Sequence, residues 1–136
     1  MQTRLVALVV ALGSVIALPA SNAVAETRSP ATVLVEVRSG GDDGLTNQFT
    51  EILTAAFQKS AAFRISRSRN APKLIVSMPT SVWHSGLGNE IEVKAIVNFA
   101  SSSSEPVGTT IVTCFEGTLD VCANQAVDYA KTLHAY

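Results

Sequence analysis

The chain has 136 residues, 47% of them hydrophobic and 15% charged, and its 10 basic and 11 acidic side chains leave a net charge of −1. That near-balance of scattered charges provides no basic stripe to hold a phosphate backbone, so nucleic acid is a poor candidate partner and none is expected. The length suits one hydrophobic core and leaves no room for two.

The first element is an export address. Arg4 supplies a positive start, residues 5–18 are an almost unbroken apolar run, and Ala23-Val24-Ala25 is a small-x-small signal-peptidase pattern. Cleavage between Ala25 and Glu26 would leave residues 26–136 as a single domain with 9 basic and 11 acidic side chains. A retained membrane anchor is the alternative, but the run is shorter than the roughly 20 residues a spanning helix needs, and Pro19 and Ser21-Asn22 interrupt it. No Cys follows the apolar run at the cleavage site to carry a lipid, and no later stretch is long enough to span a bilayer. The expected product is soluble, periplasmic or secreted, and not stably inserted in a membrane.

Residues 31–38 alternate Val33, Val35 and Val37 with Leu34, Glu36 and Arg38, which predicts a strand with one buried face. Gly40-Gly41-Asp42-Asp43-Gly44 breaks it, and the two carboxylates suit the free amides and dipole of a helix start. The helix is expected over 45–59, where Leu45, Phe49, Ile52, Leu53, Ala56 and Phe57 form one apolar stripe. A second strand is expected over 63–67 and a third over 73–78, with Leu74, Val76 and Met78 on one face. Pro79 cannot donate to a ladder, so the third strand bends or reaches an edge there, and Val82-Trp83 could resume it. The fourth strand, 90–100, puts Ile91, Val93, Ala95, Val97 and Phe99 on one side. A polar, flexible tip at 101–106 leads to a fifth strand over 109–116, with Ile111, Thr113 and Phe115 sharing a face. Thr118 is the expected N-cap of a closing helix striped by Leu119, Cys122, Ala123, Ala126, Val127, Ala130 and Leu133.

The order β-α-β-β-β-β-α predicts a two-layer α+β domain: a mixed, mostly antiparallel sheet with two helices on one face. The first strand, helix and second strand suit a parallel right-handed crossover, and the remaining strands suit antiparallel hairpins. Cys114 and Cys122 are the only cysteines. In an oxidising compartment such a pair reads as a disulfide, with a metal pair or two free thiols as alternatives. No CxxC motif is present.

A helix running into Phe63-Arg64-Ile65-Ser66, then Ala71-Pro72-Lys73-Leu74-Ile75-Val76-Ser77, then two long strands and a final helix resembles the small envelope domains of the TolB N-terminal, CsgG-like and LptE-like groups. The resemblance covers most of residues 26–136 as an order of elements. It departs from those groups in lacking a lipid-attachment Cys and an attached propeller and in carrying the cysteine pair. It implies a bacterial envelope accessory that works by binding, with another envelope protein or peptide as partner.

Candidate chemistry centres on few residues. His84 could serve as a general base for a small secreted hydrolase if Asp42 or Asp43 met it in one cleft, but no GxSxG elbow or HExxH helix accompanies it. A surface His is the better account, and His134 near the C-terminus suits a helix end. Met78, Trp83 and His84 offer thioether, indole and imidazole to Cu(I), which defines a copper or small-ligand carrier as a further alternative. Gly86-Leu87-Gly88 lacks the third glycine and following helix of a dinucleotide loop. Asp42-Asp43 lacks EF-hand spacing. No cofactor is called for. The best reading is an exported, non-catalytic binding or assembly module. In it, strand edges accept an extended peptide, and Trp83 and the Pro79 bend belong to the interface.

Overall fold

The computed structural model describes residues 31–86 and 91–133. The export segment with its Ala25/Glu26 junction, Gly88 and His134 lie outside the described residues. Six strands and two helices follow in the order β1 (Val33–Ser39), α1 (Gly44–Lys59), β2 (Phe63–Ile65), β3 (Leu74–Met78), β4 (Trp83–Ser85), β5 (Glu92–Ser101), β6 (Pro106–Phe115) and α2 (Leu119–Thr132). This is the expected α+β architecture, with the resumed segment after Pro79 forming a short strand of its own.

One mixed sheet contains all six strands. β1 lies between β2 and β3 and is parallel to both; β3, β4 and β6 all pair antiparallel with β5. The first strand, helix and second strand thus form the expected parallel crossover, and β3 pairs with β1 rather than with β2. The connection after β2 crosses β1 and returns in the same direction, helped by the Ser66 N–H donating to the Val35 carbonyl at 2.8 Å. β3 and β4 each pair with part of β5, at 98–101 and 92–94 respectively, with Pro79 in the turn between them.

The core lies between the sheet and the helices. Phe49, Leu53 and Phe57 of α1, Val35 of β1, Leu74 and Val76 of β3, and Val93 and Val97 of β5 are all fully buried. The inward residues of α2 are mostly small: Cys122, Ala123, Ala126 and Ala130 have no exposed surface, so this helix can approach α1 and β6 closely. Each buried phenylalanine contributes about 1.5–3 kcal/mol. Phe57 meets Phe63 edge-on at a centroid distance of 5.1 Å, which ties the end of α1 to β2.

Asp43 caps α1, accepting from the Thr46 N–H at 2.9 Å and the Thr46 hydroxyl at 2.7 Å. Thr46 is fully buried, and its hydroxyl also accepts from the Val82 N–H at 2.9 Å. One side chain thus fastens the helix start to the turn that launches β4. Thr118 precedes α2 but does not cap it with its side chain, because its hydroxyl is engaged with the Phe115 backbone. The expected flexible tip is held by hydrogen bonds: the Ser101 N–H donates to the Glu105 carbonyl and the Ser104 N–H to the Ser101 carbonyl, both at 2.9 Å.

A disulfide joins Cys114 at the end of β6 to Cys122 in α2, with a Cα–Cα distance of 5.5 Å. It decides which side of β6 faces inward. Val112 and Cys114 are buried, while Ile111 and Phe115 are exposed. The set Ile111, Thr113 and Phe115 does share a face, and that face is the open one.

Candidate interaction surface

Alternation along β5 separates two surfaces. Val93, Ala95, Val97 and Phe99 point to the helices, and Glu92, Lys94, Ile96 and Asn98 to the helix-free side. Register places neighbours beside them. Trp83, Lys94 and Thr113 form one row across β4, β5 and β6; Ser85, Glu92 and Phe115 form the next; Ile96 lies beside Ile111. Trp83 is 48% exposed, Ile111 62% and Phe115 51%. Lys94 and Glu92 pair at 2.9 Å in the middle of this apolar ring.

The opposite end of the same face is closed. Lys73 there is almost fully buried, its ammonium donating to the Ser68 carbonyl at 2.6 Å and pairing with Glu36. Arg38 Nε donates to the other Glu36 carboxylate oxygen at 2.6 Å. Arg38, then Lys73, hold the Glu36 carboxyl down from 4.5 to about 2. This cluster pins the β2–β3 connection over β1. Among the described residues, the exposed large hydrophobic side chains of the sheet are all on the β4–β5–β6 end.

The strand edges are less open than expected. β2 and β4 have three residues each. On the long β6 edge, Gln125 of α2 occupies Thr113: the Thr113 N–H donates to Gln125 Oε1 at 3.2 Å, and Gln125 Nε2 donates to the Thr113 carbonyl at 3.1 Å. A side-chain amide thus takes the place of a neighbouring strand, a device that discourages edge pairing.

The copper alternative placed Met78, Trp83 and His84 together. Met78 is 1% exposed and points into the core, whereas Trp83 pairs with Lys94 and lies on the other face of the sheet. An indole there cannot cap an ion held by the Met78 thioether. His84 is exposed, and its imidazole makes no hydrogen bond or ion pair among the described residues. Asp43, the carboxylate offered to His84 in the hydrolase alternative, is committed to its cap. Bonds from Thr46 and then Ser81 lower its carboxyl from 3.8 to about 2. Among the described residues, no three His, Cys, Asp or Glu side chains gather as a metal site. Pro79 is exposed in the β3–β4 turn, next to Gly40.

Alternation groups Ile111 with Phe115 in the sequence without stating that their face is the open one. The signal was present in Cys114, whose disulfide forces its neighbours outward. Gln125 as an edge guard had no sequence signature. The helix side offers a second concavity, an open groove of about 520 Å³ between α1 and α2, lined by Gln48, Ile52, Ala55, Lys59, Asp120 and Asn124 among others. Its lining mixes charge, amide and small apolar groups without a convergent set.

No protein-family model matches the sequence, and no curated protein matches it. Among solved structures, the chain is similar to a PelC dodecamer from Paraburkholderia phytofirmans, with a TM-score of 0.42 and 14% identity over 71% of this chain and 87% of the other.

Proposed function

We propose that residues 26–136 form an exported, non-catalytic envelope module that works by protein contact through the β4–β5–β6 end of its helix-free sheet face. The observation that carries this reading is the cluster of Trp83, Ile111 and Phe115, each about half exposed, around the Lys94–Glu92 pair. Apolar and aromatic groups grouped on an open face around charged side chains are the usual composition of a recognition patch. Export is supported by Arg4, the apolar run and Ala23-Val24-Ala25, together with the Cys114–Cys122 disulfide, which suits an oxidising compartment. No helix among the described residues is long and apolar enough to cross a membrane.

The test is site-specific photo-crosslinking in the native host. A photoreactive phenylalanine analogue at Ile111 is expected to capture protein, and Trp83→Ala is expected to lower that yield about 10-fold, as loss of an aromatic anchor does. The same analogue at Gln58, exposed on α1, is expected to capture nothing. Equal yields from the two positions, or none from Ile111, would overturn the assignment of the face. Mass spectrometry of the same material is expected to find Glu26 at the N-terminus; an intact Met1 with free thiols would overturn the export reading.

A further inference from the structure

The open face is its own complement, and from this we infer that its partner is a second copy of the chain, docked face to face. The inference rests on the contact-surface reading above and names the occupant. Two rows of side chains cross the three strands: Trp83, Lys94 and Thr113 in one, Ser85, Glu92 and Phe115 in the other. A two-fold axis lying in the face, crossing the strands midway between the rows, sets each row over the opposite row of the second copy. Lys94 then lies over the other copy's Glu92, Trp83 over Ser85, and Phe115 over Thr113. Every charge meets its opposite, and every aromatic meets a small side chain that leaves it room.

The alternative axis, running along β5, stacks Lys94 on Lys94 and Glu92 on Glu92, which like-charge repulsion opposes. The rows therefore select one arrangement. Lys94 and Glu92 are 45% and 39% exposed, so their intrachain pair can be shared across the contact without abandoning its first partner. Strands of the two copies run antiparallel over a short contact centred on these two rows, with Ile96 and Ile111 at its rim, so the usual twist of about 30° between packed sheets is tolerated. Such a contact belongs to the small end of interface sizes, and the dimer is weak and concentration-dependent.

The experiment is sedimentation velocity on the disulfide-bonded mature chain over a concentration series, with charge exchange as the diagnostic. Wild type is expected to pass from monomer to dimer as concentration rises. Lys94→Glu and Glu92→Lys are each expected to weaken the dimer about 10-fold or more, because both create like-charge contacts. The double exchange is expected to restore it, since self-complementarity survives when both charges swap. Trp83→Ser is expected to weaken it without altering the charges, and far-ultraviolet circular dichroism checks that each variant is folded.

A wild type that stays monomeric up to about 1 mM, where association is worth only some −4 kcal/mol, overturns the self-pairing. So does a dimer that survives both single reversals. Crosslinks from Ile111 to a different protein, lost in the double exchange, also overturn self-pairing while leaving the contact face intact. Absence of any capture from Ile111 removes the contact face itself.

Discussion

Glu36 illustrates how one side chain organises a region. It receives Arg38 on one carboxylate oxygen and the buried Lys73 ammonium on the other. The folded-state carboxyl titrates near 2 against an ordinary 4.5, so the unfolded chain takes up the proton first as pH falls. Stability from this group is fully present above about pH 4.5 and is lost progressively toward pH 2. Asp43, also lowered to about 2, acts in the same direction below its ordinary 3.8. Glu36 is partly exposed, so its pH-dependent contribution is on the order of 1–2 kcal/mol after solvent screening. Glu36→Gln is expected to lower stability near neutral pH by about 2–4 kcal/mol, because it leaves the Lys73 charge buried without its counter-ion. It should also flatten the acid limb between pH 4.5 and 2. Urea unfolding across pH 2–7 measures both effects, and an unchanged acid limb would contradict this account.

Elements meet through close backbone approach as much as through side chains. Gly40, in the loop between β1 and α1, lies against the end of β3: a Cβ built there would fall 2.4 Å from the Met78 carbonyl oxygen and 3.2 Å from the Pro79 backbone. Gly44, four residues on, has nothing within 4 Å of the same position and begins α1. The two glycines should therefore respond in opposite ways to alanine. Gly40→Ala forces two elements apart and is expected to cost about 1–3 kcal/mol. Gly44→Ala reduces the freedom of the unfolded chain at a helical position and is expected to add about 0.4–1 kcal/mol. Thermal unfolding of the pair checks the contrast; equal shifts of the same sign would show that the Gly40 contact does not constrain the fold. The hydrogen bond from the Val82 N–H to Thr46 belongs to the same junction, so disturbance at Gly40 should propagate to the start of β4 and thus to Trp83.

At the scale of the whole molecule, the Cys114–Cys122 bridge joins the two layers, since β6 belongs to the sheet and α2 to the helical side. The cysteines are eight residues apart, and closing so short a loop contributes about 2–3 kcal/mol in the chain-entropy model. Replacing both by alanine is expected to lower stability by about that amount, read as a drop in urea midpoint with little change in slope. The structural consequence is larger than the energy. A one-residue slip of β6 would turn Val112 and Cys114 outward and bury Ile111 and Phe115, and the bridge forbids it. The disulfide thereby keeps the apolar patch in the open, and its loss is expected to weaken any contact made through Ile111.

Local periodicity and end chemistry sufficed for much of this. The stripe from Leu45 to Phe57 marked α1, alternation from Val93 to Phe99 marked the buried side of β5, Asp43 before Gly44 marked the helix start, and the lone cysteine pair marked the bridge. These features act over a few residues, so a linear reading can find them. Periodicity also states that two faces differ, without stating which one another layer will cover. The tertiary structure alone decided that β1 lies between β2 and β3, that Lys73 is buried against Glu36, that Gln125 guards the β6 edge, and that Trp83 and Met78 occupy opposite sides of the sheet. Each depends on strands and side chains that meet across long separations in sequence. Such contacts form where packing of the whole core is best satisfied, a condition no short segment contains.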